Sequence, residues 1–506
     1  MFASVQTVTL EGLKSLPLSV EVDITGQALP SFIIVGLPDA SVTESRERVR
    51  SAIKNSGLVF PIKRITVNLA PADLKKEGSR FDLPIAVGIL AATSQIPCES
   101  LEEKVMIGEL ALDGVIRSVT GILPIAIALS GSGKQLIIPK DNIAEASLFD
   151  VDVVGVSNLS ELVSHLRGDK FIQPVKRRGF DFEQTDTVYS VDMSEVKGNV
   201  QAKRALEIAA CGGHNVLMVG PPGSGKTMLA KRLPTIMPPL TFDEAVEISQ
   251  LYSIAGLLGP SEGLISKRPF RSPHHTASPV AIIGGGSDPK PGEISLAHGG
   301  VIFLDELPEF RRDVLEVLRQ PMEDGEVTIA RIRSTITLPA RFIVVGAMNP
   351  CPCGYFGDRT KPCTCGFAIV RRYQSRVSGP LLDRFDIHLS VLRLQPDELS
   401  QIKPGESSAE IRKKVTSGRK IQTERFKGQK IFCNAQLSSR QLKQHCALGK
   451  EEQDFLKLAS DRINLTARGY DRILRVSRTI ADLVESEQIK TIHLAEAIQY
   501  RENLMI

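Results

Sequence analysis

Gly220-Pro-Pro-Gly-Ser-Gly225-Lys226-Thr227 fits the pattern G-x-x-x-x-G-K-[ST] at every defined position. It lies between an apolar run, Val216-Leu-Met-Val219, and the amphipathic stretch Met228-Leu-Ala-Lys-Arg-Leu233. That order predicts strand, loop and helix. The loop Gly220, Pro221, Pro222, Gly223, Ser224, Gly225 would turn its backbone N–H groups toward phosphates, and the helix N-terminus would add its positive dipole end. Lys226 would neutralise charge on the β- and γ-phosphates of ATP, and the Thr227 hydroxyl would ligate Mg²⁺. The alternative is a glycine-rich turn that merely precedes a helix.

Working outward, Val301-Ile-Phe-Leu304 reads as a buried strand that ends in Asp305-Glu306. Asp305 is placed to hold the water shell of Mg²⁺, and Glu306 to polarise the attacking water as general base. An apolar run ending in two carboxylates can also be no more than a strand end. A further run, Phe342-Ile-Val-Val-Gly346, leads into Ala347-Met-Asn349-Pro350. Asn349 would then sit beside Asp305 in the sheet and orient the lytic water; an Asn that caps a strand before Pro is the plainer reading.

At 506 residues the chain has room for two or three domains with separate cores. Its 42% hydrophobic and 24% charged residues match an ordinary soluble globular protein. The formal net charge of +4 does not by itself announce a nucleic-acid partner. Residues 1–170 carry 16 Lys and Arg against 20 Asp and Glu, so the positive surplus lies with the phosphate loop and beyond it. Such a placement permits a polyanion partner. The first residues lack a basic start followed by an apolar run, and no uncharged apolar stretch nears the roughly 18 residues of a membrane span. A cytoplasmic protein without a membrane partner is expected. Tryptophan is absent, which argues against base-stacking platforms in any nucleic-acid contact.

Strand-like runs alternate with helical patterns through residues 1–170, predicting an α/β domain. Residues 171–190 lack a hydrophobic period and read as a linker. Residues 191–395 form the α/β nucleotide-binding core, and residues 396–506 are helical and charged, a lid. Cys351-Pro-Cys353-Gly and Cys363-Thr-Cys365-Gly place four thiols in a loop spanning residues 351–365. Four thiolates can close a tetrahedral shell around Zn²⁺, although the C-x-C spacing is tighter than usual; free thiols on a loop are the alternative. Glu326 to Thr337 reads as a hairpin with Arg331 and Arg333 on one face. His274 and His275 could touch nucleic acid, bind metal or hydrogen-bond a loop, and on a strand they would point to opposite faces. The basic stretch from Arg412 to Lys430 is most simply a solvated helix.

Lys267-Arg-Pro-Phe-Arg-Ser-Pro-His-His275 and Pro291-Gly-Glu-Ile-Ser-Leu-Ala-His-Gly-Gly-Val-Ile-Phe-Leu-Asp-Glu-Leu-Pro308 resemble the magnesium-chelatase-like branch of AAA+ proteins. With its opening domain, the whole chain is similar to the ComM/YifB family. The resemblance implies a multidomain α/β protein with a Lon-protease-like first domain, an AAA+ P-loop core and a helical lid of the chelatase type. It further implies a hexameric ring with ATP between subunits and a DNA helicase or branch-migration motor acting in recombination during natural transformation. By position, Arg384 in Ser378-Gly-Pro-Leu-Leu-Asp-Arg384-Phe-Asp386 is similar to the family's arginine finger, unless Asp383 or Asp386 holds it in a local pair. Arg468 matches the sensor-2 arginine, with Arg472 and Arg475 as alternatives. Related helicases project a basic hairpin into the ring channel, which implies phosphate contacts by Arg331 and Arg333. Glu77-Gly-Ser-Arg-Phe-Asp-Leu-Pro-Ile-Ala-Val-Gly-Ile-Leu90 and Gly108-Glu-Leu-Ala-Leu-Asp-Gly-Val-Ile-Arg-Ser-Val-Thr-Gly-Ile-Leu-Pro124 resemble the Lon-protease C-terminal domain. That resemblance sets Arg80 where the nucleophilic Ser would be and Pro124 where the Lys base would be, so peptidase chemistry is lost, and Ser79 is adjacent but lacks that base. The same motifs also serve a chelatase-type ATPase that remodels a partner protein.

Overall fold

Val216–Val219, Val301–Leu304 and Ile343–Met348 are buried along their whole length, with no solvent-facing alternation. Strands apolar on both faces belong inside a parallel sheet covered on each side. In the computed structural model they do so, within a five-stranded sheet ordered Phe270–Arg271, Val301–Leu304, Ile343–Met348, Val216–Val219, Ile387–Ser390. Every neighbouring pair is parallel. The structure describes residues 1–26, 29–175, 177, 179, 189–260, 262–286, 290–330, 335–358, 361–393, 405–429, 431–463 and 465–501.

Strand order decides which loops meet. Ile343–Met348 lies between the strand that enters the phosphate loop and the strand that ends at Asp305, with Val219 opposite Met348 and Leu304 opposite Gly346. The C-terminal ends of all three therefore open at one edge, where ligands bind in open parallel sheets. Asn215 ties the far side: its Oδ1 accepts from Val344 N at 2.8 Å and its Nδ2 donates to the Arg384 carbonyl at 3.1 Å.

The chain divides into two compact units, 1–185 with 245–265, and 186–244 with 266–506. The first unit holds a seven-stranded mixed sheet. The long strands Phe2–Glu11 and Lys14–Thr25 form an antiparallel pair at its centre; Lys14–Thr25 pairs antiparallel with Arg64–Ala70 on one side, and Phe2–Glu11 pairs parallel with Lys104–Met106 on the other. Helix Asp82–Ala92 is buried at every residue, so it carries no amphipathic period. Residues 245–265 change the division read from sequence: they were placed in the nucleotide-binding core and group instead with the first unit. The physical tie is polar as well as apolar. Ser253 Oγ donates to buried Glu145 at 2.6 Å, and Gly121 N donates to the Ser253 carbonyl at 3.0 Å. The expected linker falls largely on residues outside those described.

After residue 405 the described residues form helices, including Ser408–Arg425, Lys450–Ile463, Ala467–Leu483 and Thr491–Gln499. Ser407 and Glu410 make a reciprocal capping box at the start of the first of them. These helices share one apolar core with the five-stranded sheet: Ile411, Val415, Ile473, Val476 and Leu494 pack with Val216, Leu229, Phe303 and Val345. Among the described residues, no helix is long and apolar enough to cross a membrane.

Asp482, 1% exposed, anchors this helical layer by accepting from Arg425 at 2.5 Å and Arg478 at 3.1 Å. Removing one partner of a buried ionic cluster leaves uncompensated charge. Asp482→Ala should lower the stability of the second unit by about 3–5 kcal/mol, read as a fall in its calorimetric transition.

Candidate nucleotide site and cysteine cluster

Gly225 adopts φ 90°, a left-handed conformation open to glycine, and helix Lys226–Ile236 begins at the next residue. That turn folds Lys226 back over its own loop. Its ammonium donates to the carbonyls of Gly220 at 2.7 Å and Pro221 at 3.0 Å, and to Asn349 Oδ1 at 3.3 Å. Burial pulls the Lys226 ammonium below the ordinary lysine range, and the charge of Asp305 offsets part of that. Thr227 Oγ1 donates to Asp305 Oδ2 at 2.9 Å. A hydroxyl and a carboxylate converging at the mouth of a phosphate loop are the hard oxygen donors that suit Mg²⁺, so the residues present fit the ion.

Glu306 follows Asp305 with φ 53°, left-handed without being glycine, and its backbone N donates to Asp305 Oδ1 at 3.0 Å. Strained backbone of this kind persists where the surroundings over-determine it. One such surrounding group was not singled out for this role from sequence: His275 Nδ1 lies 3.6 Å from Glu306 Oε2. The two histidines are not on a strand pointing apart, as the alternation rule would have it. They lie past the short strand Phe270–Arg271, and their rings pack with centroids 4.1 Å apart, His275 edge-on to Phe310. Nothing local in the sequence pairs His275 with Glu306, because the contact crosses between neighbouring strands.

Arg384 is held by partners in this chain, but not by the aspartates that flank it. Its guanidinium pairs with Glu323 at 2.6 Å and donates to the carbonyls of Arg319 at 3.2 Å and Pro380 at 2.5 Å. Asp383 and Asp386 face Arg472 instead, at 3.7 and 3.5 Å. Arg468 is exposed in the first turn of Ala467–Leu483, whereas Arg472 is buried and Arg475 donates to the Leu437 carbonyl at 2.9 Å. The hairpin is present as Glu326–Ala330 paired antiparallel with Thr335–Pro339, but Arg331 and Arg333 lie outside the described residues.

In the first unit, Ser79 Oγ donates to Glu109, and Arg80 reaches the Thr120 carbonyl at 3.4 Å. Pro124 offers only its carbonyl, which accepts from Ser15 at 3.1 Å.

Directly beyond Asn349, the sulfurs of Cys351, Cys353, Cys363 and Cys365 all lie within 4.8 Å of one another. Cys351 Sγ is 3.3 Å from Cys353 and 3.6 Å from Cys363, and Cys353 Sγ is 3.5 Å from Cys363. These separations exceed a disulfide bond. They approach the ~3.8 Å between ligands of a tetrahedral site with Zn–S near 2.3 Å. Backbone N–H groups point at sulfur, from Phe356 to Cys351 at 3.3 Å and from Cys365 to Cys363 at 3.4 Å. The thiols shift in opposite directions, the Tyr355 amide lowering Cys353 while the neighbouring sulfurs raise Cys363 and Cys365. The residues present fit one zinc ion.

Two outcomes follow from these contacts. Protein purified without chelator should contain close to one zinc per chain by elemental analysis, and Cys363→Ser should lose most of it. His275→Ala should lower kcat for ATP roughly tenfold with little change in nucleotide affinity, because it supports Glu306 without reaching the loop. Equal loss of affinity would show a role in shaping the loop instead.

Three family models match: "Magnesium chelatase, subunit ChlI" over residues 192–399, "Subunit ChlI of Mg-chelatase" over residues 20–142, and "Magnesium chelatase, subunit ChlI C-terminal" over residues 405–501. Competence protein ComM of Haemophilus influenzae is 46% identical over 501 residues, 97% of this chain and 95% of that protein. Uncharacterized protein YifB of Escherichia coli is 44% identical over 502 residues, 98% of this chain and 96% of that protein. A probable DNA helicase, MCM9 of Arabidopsis thaliana, is 27% identical over 216 residues, 42% of this chain and 28% of that protein. With identity at this level running from end to end, the chain belongs to the ComM/YifB family of magnesium-chelatase-like AAA+ proteins.

Proposed function

We propose that this protein is an ATP-driven DNA motor that unwinds or branch-migrates DNA in recombination during natural transformation, working as a hexameric ring in the cytoplasm. Membership of an AAA+ family makes it an ATPase that uses ATP and Mg²⁺. The observation that carries the reading is the convergence of Lys226, Thr227, Asp305 and Asn349 at one edge of the parallel sheet. The choice of DNA is supported by two relatives, one named a competence protein and one a probable DNA helicase.

In this reading the loop amides and Lys226 bind the phosphates and exchange the loop carbonyls for phosphate oxygens. Thr227 and Asp305 would hold Mg²⁺, which would supply charge neutralisation at the β- and γ-phosphates. Glu306 takes the proton of the attacking water while Asn349 orients it. Arg384 reaches the γ-phosphate of a neighbouring subunit, trading Glu323 for a stronger oxyanion, and Arg468 approaches from the helical lid. Arg331 and Arg333 contact DNA phosphates. The first domain, with Arg80 and Pro124 in place of a Ser/Lys dyad, is a scaffold or DNA platform.

A second reading, a chelatase-type ATPase that remodels a partner protein, is favoured by the description of the matching family models as magnesium-chelatase subunits. ATP turnover with and without single-stranded and forked DNA separates the two. A motor should be stimulated severalfold, with stimulation falling steeply as salt rises; turnover indifferent to DNA at every salt concentration would favour the partner-remodelling reading. Arg384→Ala should lose turnover by about 10³-fold, and mixing it with Lys226→Ala protein should restore part of it. Assembled Arg384→Ala rings with native turnover would remove the arginine from the site.

A further inference from the structure

The cysteine cluster and the phosphate loop touch. Cys351 is two residues past Asn349, which faces the Lys226 ammonium. Cys351 is fully buried, and the preceding carbonyl, of Pro350, accepts from buried Gln374 Nε2 at 2.9 Å. The chain then turns through Cys353 to Gly354, closed by Gly354 N donating to the Cys351 carbonyl at 2.9 Å. Gly354 has φ 85° and lies flat against the phosphate loop: a Cβ there would stand 2.5 Å from Pro222 Cδ and 2.7 Å from Cγ. A proline ring cannot rotate away. The turn carrying two of the four sulfurs is therefore a rigid buttress for Pro222, three residues from Gly225 and four from Lys226.

We propose that a divalent metal bound by Cys351, Cys353, Cys363 and Cys365, zinc by its all-sulfur ligand set, holds the phosphate loop in its nucleotide-binding shape through the contact of Gly354 with Pro222. The inference rests on the reading of that loop as an ATP site. Four thiols in this space need a cation to hold their thiolate forms together. With the metal bound, Cys351 and Cys353 are fixed to Cys363 and Cys365, and the turn between the first two cannot move. Without it the turn relaxes, the buttress at Pro222 goes, and the loop gains conformations that no longer aim its amides at phosphate. Because binding linkage is reciprocal, nucleotide must tighten metal binding by the factor by which metal tightens nucleotide. The cluster would then couple metal supply, or oxidation of its thiols, to occupancy of the ATP site.

The test uses the full chain, its zinc removed by a zinc-selective chelator and Mg²⁺ kept constant, with circular dichroism to confirm that it stays folded. Affinity for a fluorescent ATP analogue should fall about tenfold on zinc removal and return when Zn²⁺ is added back. In chelator competition, saturating nucleotide should tighten zinc by about the same factor. Gly354→Ala should keep one zinc per chain yet bind nucleotide severalfold more weakly. Pro222→Ala should reduce the zinc dependence of nucleotide affinity, whatever its own affinity. A chain that binds nucleotide equally with and without zinc, or that binds no zinc, overturns the inference and leaves the ATP site standing. A zinc-loaded chain that binds no nucleotide overturns both.

Discussion

A buried ammonium organises this molecule. Lys226 is 9% exposed and carries its charge among the carbonyls of Gly220 and Pro221 and the amide oxygen of Asn349, with Asp305 nearby. A cation removed from water is costly unless oxygen ligands replace its hydration. Its own loop supplies two of them, and the strand order adds Asn349 by setting the end of Ile343–Met348 beside the end of Val216–Val219. Thr227 stays exposed at the same edge, beside Asp305. The phosphate loop thus depends on a neighbour that lies far along the chain.

Polar ties run from the opposite edge of the sheet, beside Asn215, into the helical layer. Asp386, in the segment that carries Arg384, is buried among His214 at 3.2 Å and Arg472 at 3.5 Å. Burial pushes its carboxyl up, but those partners outweigh it and hold the group below the ordinary carboxylate range. His214 in turn meets Thr479 on helix Ala467–Leu483 at 2.8 Å. Nearby His388 is driven down to about 4 by burial and by Arg501, so it stays neutral at physiological pH. Rotation of that helix would pull on the segment bearing Arg384, a physical route by which the helical layer can bear on that arginine.

Contiguous features could be read directly. The phosphate loop, the strands on either side of it, the Asp305-Glu306 strand end and the four cysteines each sit within a short run whose residue types state their own chemistry. The N-terminal strand pair Phe2–Glu11 and Lys14–Thr25 is less legible, since Ala3, Val5 and Thr7 alternate with exposed residues but two of the three alternating positions are small or polar. Helix Asp82–Ala92 has no period of its own to read, since a helix buried all round has no polar face.

Sequence alone determined which residues could handle phosphate, magnesium and zinc, because each of those ligand sets is encoded within a few neighbouring positions. Tertiary structure alone decided that Glu323, rather than Asp383 or Asp386, holds Arg384; that His275 faces Glu306; that residues 245–265 join the first unit; and that Gly354 presses on Pro222. Each of these is a contact between segments distant in the chain. Side-chain types specify what a group can bond to, but only sheet order and packing specify which group arrives within reach.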